Sequence, residues 1–231
     1  MPETNAVFAA LSQADNAALR PHLKSVQLNQ TLVLFEAGDP IKAIYFPTTA
    51  LISLVVTLST GEVVEAAMVG KDGVVGAASA LGARISLCRA IVQLGGSAFM
   101  CEPDVLRSTA LQSHSLLSVL IRHEQAVYGQ AQQSAACMAA HDVQQRLCRW
   151  LLRARDLSGS DDLPFTQEFL AEMLGVRRTS VTTVALTLQQ AGLIKYSRGK
   201  IHVLNVDSLR DAACECYETV KTHYTSVMTA P

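Results

Sequence analysis

No stretch of this sequence is apolar for the ~20 residues that a membrane-spanning helix needs; the longest candidates, such as 50–58, are interrupted by Ser and Thr. The N-terminus lacks a charged-then-apolar leader pattern, so the expected location is the cytoplasm, with no membrane partner. Charge is scarce, at 17% of residues against 49% hydrophobic, which excludes a disordered chain; 231 residues suit two modest domains. The six cysteines (Cys88, Cys101, Cys137, Cys148, Cys214, Cys216) have no repeated close-pair spacing. That argues against a disulfide framework or a zinc module and leaves reduced thiols as the expectation. Also missing are a glycine-rich nucleotide loop with its Lys, a metal-binding His pair on one helix and a nucleophile elbow. No catalytic residue is therefore assigned, and no enzyme activity is expected.

What is present is clearest at 165–205. Two short helices cross closely only where the crossing carries a small residue and the turn one that tolerates φ > 0, and Ala171 and Gly175 supply these. Leu170, Leu174, Val176, Val181 and Val184 recur around them at the spacing that buries one face of each helix. The other face of the second helix holds Arg177, Arg178, Thr179, Ser180, Thr182 and Thr183. Its two adjacent arginines stand at the N-terminal end, where a recognition helix meets base edges and phosphates. Residues 193–196 and 201–205 read as strands joined by Ser197-Arg198-Gly199-Lys200, a basic wing. Between 164 and 206 five basic residues (Arg177, Arg178, Lys195, Arg198, Lys200) face two acids (Glu168, Glu172), a balance of +3 in a chain whose net charge is -1. Positive charge gathered on one compact unit suits a specific binder of double-stranded DNA better than a general nucleic-acid coat.

Residues 5–20 read as one short amphipathic helix, with Val7, Phe8, Leu11 and Leu19 at near-helical spacing and Pro21 interrupting it. From 26 to 101 the pattern becomes short alternating or β-branched runs, at 31–34, 43–46, 51–58, 63–69, 87–92 and 98–100. Glycines and Pro40 punctuate them at the intervals of an antiparallel barrel or jelly roll. Beyond Pro103 helical signals take over. Leu116, Leu120, His123, Val127, Ala131, Ser134 and Met138 fall three or four apart, a narrow seam that suggests a partner helix in a symmetric pair; the alternative is a helix packed on its own barrel. Asp142 is positioned to cap a following helix with Val143, Leu147, Trp150 and Leu151 on its apolar face. Asp207 would cap a last one with Leu209, Ala213, Cys216 and Val220 along one side. On such a helix Cys214 and Cys216 face different directions and would chelate one ion poorly, so no residue is assigned to a metal. The expected fold is α+β: a jelly-roll-like antiparallel β-barrel over 1–112, a long dimerisation helix at 113–140, a winged helix-turn-helix over 141–206 and a terminal helix at 207–231.

This order of parts resembles the Crp/Fnr superfamily of bacterial transcription regulators over nearly the whole chain. The likeness is strongest at 163–203, through Ala171, Gly175, Val181 and Leu193, with weaker matches at Gly38-Asp39, Ala43-Ile44-Tyr45-Phe46 and Gly73-Val74-Val75-Gly76. It implies a homodimer that pairs through the long helix, senses a signal in a cyclic-nucleotide-binding-like barrel, binds an inverted-repeat operator and works with RNA polymerase. In members that bind cyclic AMP, a Gly-Glu-Leu opens a short helix whose N–H groups hold the phosphate, and a later Arg-Ser/Thr-Ala supplies its charge partner. Here Gly76-Ala77-Ala78 stands at the first motif, and Cys88 at the arginine position if Ala90-Ile91-Val92 keeps the register of the second. Arg89 is one residue away, which in a strand turns it to the opposite face. Gly76, Ala77, Ala78, Cys88, Arg89 and Ala90 thus mark the expected site of an unidentified small-molecule effector rather than of a cyclic nucleotide. No cysteine precedes Cys88, so the grouped N-terminal cysteines of iron–sulfur members are missing. His22, His114 and His123 are the candidates for a haem, and no cofactor is expected. Where well-known members carry a Glu followed four residues later by an Arg, this chain has Thr179 and Thr183, so its operator should differ. Arg178 is assigned to guanine, Thr179 and Thr183 to a thymine methyl or a phosphate, and Arg198 and Lys200 to the DNA backbone. The alternative is an adaptor that uses the barrel for protein contacts, against which the basic recognition helix argues.

Overall fold

The computed structural model describes residues 5–229. Its N-terminal stretch forms two helices rather than one, α1 (Ala6–Ala10) and α2 (Gln13–Leu19). Ser12 accepts a hydrogen bond from the Asp15 N–H and so starts a second helix, while Val7, Phe8, Leu11 and Leu19 all stay buried. Apolar spacing picks out these core residues but is blind to a cap that competes with helix continuation. Seven strands follow, β1 (Lys24–Leu28), β2 (Val33–Phe35), β3 (Ile44–Pro47), β4 (Leu51–Thr57), β5 (Val63–Val69), β6 (Arg89–Leu94) and β7 (Gly96–Cys101), with the short helix α3 (Ala77–Leu81) between β5 and β6. They build two antiparallel sheets, ordered β1-β7-β3 and β2-β6-β4-β5. β1 lies largely outside the runs read as strands because Lys24, Ser25 and Gln27 are exposed and leave little apolar alternation.

The four-stranded sheet is covered on both faces, and this positions everything downstream. On β4, Ile52 and Leu54 belong to the barrel core with Val69, Ala90 and Val92. The alternate residues Leu51 and Val55 belong to a second core shared with Leu147, Trp150, Leu151, Leu170 and Leu174 from the C-terminal half. That half comprises α4 (Pro103–Gln112), α5 (His114–Ala140), α6 (Val143–Ser158), β8 (Asp162–Leu163), α7 (Gln167–Leu174), α8 (Arg178–Gln190), β9 (Ile194–Ser197), β10 (Lys200–Val203), α9 (Val206–Asp211) and α10 (Cys216–Met228). Asp142 caps α6 in a capping box with Gln145. The C-terminal helix, expected to be continuous from Asp207, is split: Asn205 caps α9, the chain turns at 212–215, and α10 packs along α5. Arg153 of α6 pairs with Asp72 of the barrel at 2.5 Å and lies 5.0 Å over the Tyr224 ring of α10, so one guanidinium joins all three parts.

The stripe on α5 expected to face a partner is largely used within the chain. Leu116, Leu120, His123 and Ser134 are buried, Val127 packs on the barrel core, and Ala131 and Met138 are half-buried. His123 Nε2 accepts a hydrogen bond from the Val74 N–H at 3.1 Å, and a Cβ on Gly73 would collide with the same ring, so the glycine is what lets α5 approach. A seam within one chain has the same period as a seam between two, which is why spacing could not tell them apart. What α5 exposes instead is Ile121, Gln125, Tyr128, Gln132, Ala135 and Ala139, alternately four and three residues apart. With His123 committed to packing, and His22 and His114 exposed on separate elements, the three histidines share no site.

Candidate nucleic-acid interface

α7 and α8 meet at Gly175, whose φ of +61° and lack of a side chain let its N–H close α7 onto Ala171 and Glu172. Thr166 caps α7 through the Phe169 N–H, and Leu170, Leu174, Val181, Ala185 and Leu188 fill the angle between the helices. Phe165 stacks on Phe169 at 5.4 Å and meets Trp150 edge-on at 4.9 Å, which fixes the pair of helices to α6. On the outer face of α8 and its cap, Arg177, Arg178, Thr179 and Thr183 are exposed and Ser180 is half-buried. Thr182 differs from the sequence reading: its hydroxyl donates to Gln167 Oε1 at 2.6 Å, so it ties α8 to α7 and is only partly exposed. Arg178 lies 3.4 Å from Glu168 with 66% of its side chain exposed. Such a pair is worth about 0–1 kcal/mol, so a phosphate or a guanine edge can displace the carboxylate at little cost.

The wing turns through Arg198 and Gly199 at φ of +49° and +75°, the signs of a type I′ hairpin, and holds Arg198 and Lys200 in solvent. β8 adds a third strand to the wing by pairing with β10, an element too short to register in the loop around Ser160. Residues 145–212 match the family model of the Crp-like helix-turn-helix domain. The chain has the Crp/Fnr fold, and its C-terminal unit is a Crp-like helix-turn-helix domain.

Three solved structures illustrate the likeness. FixK2 from Bradyrhizobium japonicum superposes with a TM-score of 0.71 at 14% identity, over 83% of this chain and 98% of that one. A CRP-family transcriptional regulator from Thermus thermophilus gives 0.68 at 19% identity, over 81% and 96%. The c-di-GMP-responsive global regulator CLP from Xanthomonas campestris gives 0.66 at 16% identity, over 84% and 100%. At these identities the likeness is one of fold. No curated protein sequence matches the chain.

In this Crp/Fnr fold the barrel has a small cavity, about 190 Å³, bordered by Phe35, Leu54, Gly76, Ala78, Cys88 and Val127. Of the six residues assigned to an effector, Gly76, Ala78 and Cys88 border it. Ala77 and Ala90 are buried in the core, and Arg89 leaves the site to pair with Glu36 at 3.3 Å. Gly76 opens α3 at φ of +92°, yet the N–H of Ala78 donates to Glu124 Oε1 at 3.2 Å. A carboxylate of α5 thus occupies the helix start where a phosphate would bind, and the cavity is smaller than the ~300–1,000 Å³ usual for ligand sites. Glu124 carried no signal in the sequence because it acts from a different element. Cyclic AMP and cyclic GMP are expected to give no heat in calorimetry at micromolar concentrations; saturable micromolar binding would show that Glu124 yields to phosphate.

A second polar group missed by the sequence reading links the barrel to the Crp-like domain. Glu65 is buried on β5, accepts hydrogen bonds from Ser53 Oγ at 2.5 Å and from the Trp150 indole N–H at 3.0 Å, and contacts Gln93 as well. Burial pushes its carboxyl up to about 7, against the pull of Ser53, Arg149, Trp150 and Arg153. An acid inside the apolar run 63–69 was the available clue. Beside it, Arg177, Arg178 and Ser180 share a cleft of about 810 Å³ with Leu58, Glu62 and Arg89 of the barrel.

Proposed function

We propose that this protein is a homodimeric transcription regulator that binds an inverted-repeat site in double-stranded DNA and is controlled through its barrel. The observation that carries the reading is the exposed start of α8, with Arg177, Arg178, Thr179 and Thr183 in solvent, in a unit whose wing also exposes Arg198 and Lys200. A helix of this size enters a major groove, and exposed arginines and lysines in the same unit suit contacts to base edges and phosphates. Residues 1–112 act as the sensor, 113–140 as the pairing helix and 141–206 as the reader, and within 207–231 α10 packs back on the pairing helix. RNA polymerase is the partner through which such a regulator would act, and no catalytic step is assigned. The pairing face is the exposed stripe of Ile121, Gln125, Tyr128, Gln132, Ala135 and Ala139, whose spacing fits a two-helix seam. The small barrel cavity suits a small apolar effector, and the cleft beside Arg178 offers a route by which barrel movement would alter access to the reading helix.

Binding-site selection on the wild type and two variants tests the reading. Arg178 is in the first turn of α8, and its planar fork can meet guanine O6 and N7 together. Arg178→Ala is expected to cost about 1–3 kcal/mol per half-site and to relax preference at one base pair. Lys200→Ala should weaken all sequences alike and lower the salt dependence by about one phosphate contact. If Arg178→Ala keeps the wild-type preference and only binds less tightly, Arg178 is a phosphate clamp and not a base reader. A protein that retains no DNA at low salt would support the adaptor reading.

A further inference from the structure

The four groups Cys137, His141, Cys214 and Cys216 come together where α5 ends and the C-terminal helix breaks, with all four ligand atoms within 4.8 Å of one another. Cys137 is on the last turn of α5, His141 is its cap, Cys214 lies in the turn before α10 and Cys216 is the first residue of α10. On one continuous helix the last two would diverge; the break at 212–215 brings both thiols to the same side. The three sulfurs are buried and His141 is 16% exposed, a water-poor site made of soft ligands.

We infer that this cluster is a binding site for a single tetrahedral zinc-class ion, held by three thiolates and one imidazole. The spacing supports a mononuclear site. Cys137 Sγ and Cys214 Sγ are 3.5 Å apart, and Cys216 Sγ and His141 Nδ1 are 3.5 Å apart. Tetrahedral bonds of ~2.3 Å to sulfur and ~2.0 Å to nitrogen put neighbouring ligands about 3.5–3.8 Å from each other. A cubane cluster would hold its ligands on separate irons, farther apart than one ion does. The groups around the ligands are also those of a metal site. Glu215 Oε2 is 3.2 Å from His141 Nε2, placed to accept a hydrogen bond from Nε2–H and so to leave the Nδ1 lone pair facing the sulfurs. Gln133 Nε2–H donates to Cys216 Sγ at 3.0 Å, the contact that steadies a thiolate.

The ion would join the end of the long helix to the turn before α10, across the joint at Asp142 where α5 passes into α6. Loading therefore fixes the angle between the pairing helix and the Crp-like domain, and chelation frees it. The test uses the full chain, purified under reducing conditions, with metal content measured by elemental mass spectrometry and cobalt(II) as the spectroscopic probe. One ion per chain and the intense visible absorption of four-coordinate, thiolate-bound cobalt are expected. Cys214→Ser and Cys216→Ser should abolish both. Glu215→Ala, on an exposed side chain that threatens no core, should weaken cobalt binding about 10–100-fold, and Cys88→Ala should leave it unchanged. The proposal is overturned if no stoichiometric metal binds, if cobalt shows only weak six-coordinate absorption, if iron with inorganic sulfide copurifies instead, or if Glu215→Ala and wild type bind cobalt equally.

Discussion

Replacing Ile121 and Tyr128 together by Glu is expected to turn a dimer of twice 24.8 kDa into monomers, read by light scattering. Both side chains sit on the outer stripe of α5, 56% and 65% exposed among the described residues. An exposed stripe at alternating four- and three-residue spacing, with Ile121, Tyr128, Ala135 and Ala139 as its apolar members, is what a second helix buries, and two carboxylates per chain in that seam would be desolvated and would repel. Because the substituted positions are solvent-exposed, the fold of the single chain should survive, with an unchanged far-ultraviolet circular dichroism spectrum. DNA affinity should fall about 10²–10⁴-fold, the usual gain from linking two half-site contacts. The contrasting variant Leu120→Glu buries a charge in the barrel core and should unfold the chain rather than separate it. A double variant that stays dimeric would move the pairing face elsewhere.

Trp150→Ala should be the most damaging single change at the joint between the barrel and the Crp-like domain. The indole is 2% exposed, packs edge-on against Phe165 and donates to Glu65. Its removal costs about 3–5 kcal/mol in packing alone and strips Glu65 of one of its donors. The joint should also be sensitive to pH, with a sign set by the raised carboxyl. The folded protein takes up a proton at about 7, whereas the same group ordinarily does so at 4.5. Between those values the folded state binds more proton than the unfolded one, so stability from Glu65 is complete below 4.5 and is lost as pH rises through about 7. Thermal melts from acid to neutral pH should show this decline in the wild type and a flatter profile in Glu65→Gln, which keeps the shape but cannot ionise. A wild-type melting curve that rises steadily across the same window would mean that Glu65 is charged throughout and balanced by Arg149 and Arg153.

Features that depend only on neighbours within one element can be read from the residues alone. Gly175 and Ala171 announced the turn between α7 and α8, because positive φ and close crossing leave few residues to choose from. Arg198-Gly199 announced the wing, and the period-two runs announced the sheets that enclose the barrel. Tertiary structure decided which side of each element meets what. A three-and-four spacing on α5 is the same whether Leu116, Leu120 and His123 meet a partner or their own barrel, and Gly73 with Val74 decided for the barrel. Glu124 filling the start of α3, Glu65 receiving Trp150, and the meeting of Cys137 and His141 with Cys214 and Cys216 bring together residues 46, 85 and 77 positions apart. Chain spacing carries no information at that range. The helix break at 212–215 lies at the boundary between the two kinds of knowledge: Asn205, not Asp207, was the local cap, and only packing of α10 against α5 made the break converge on the cysteines.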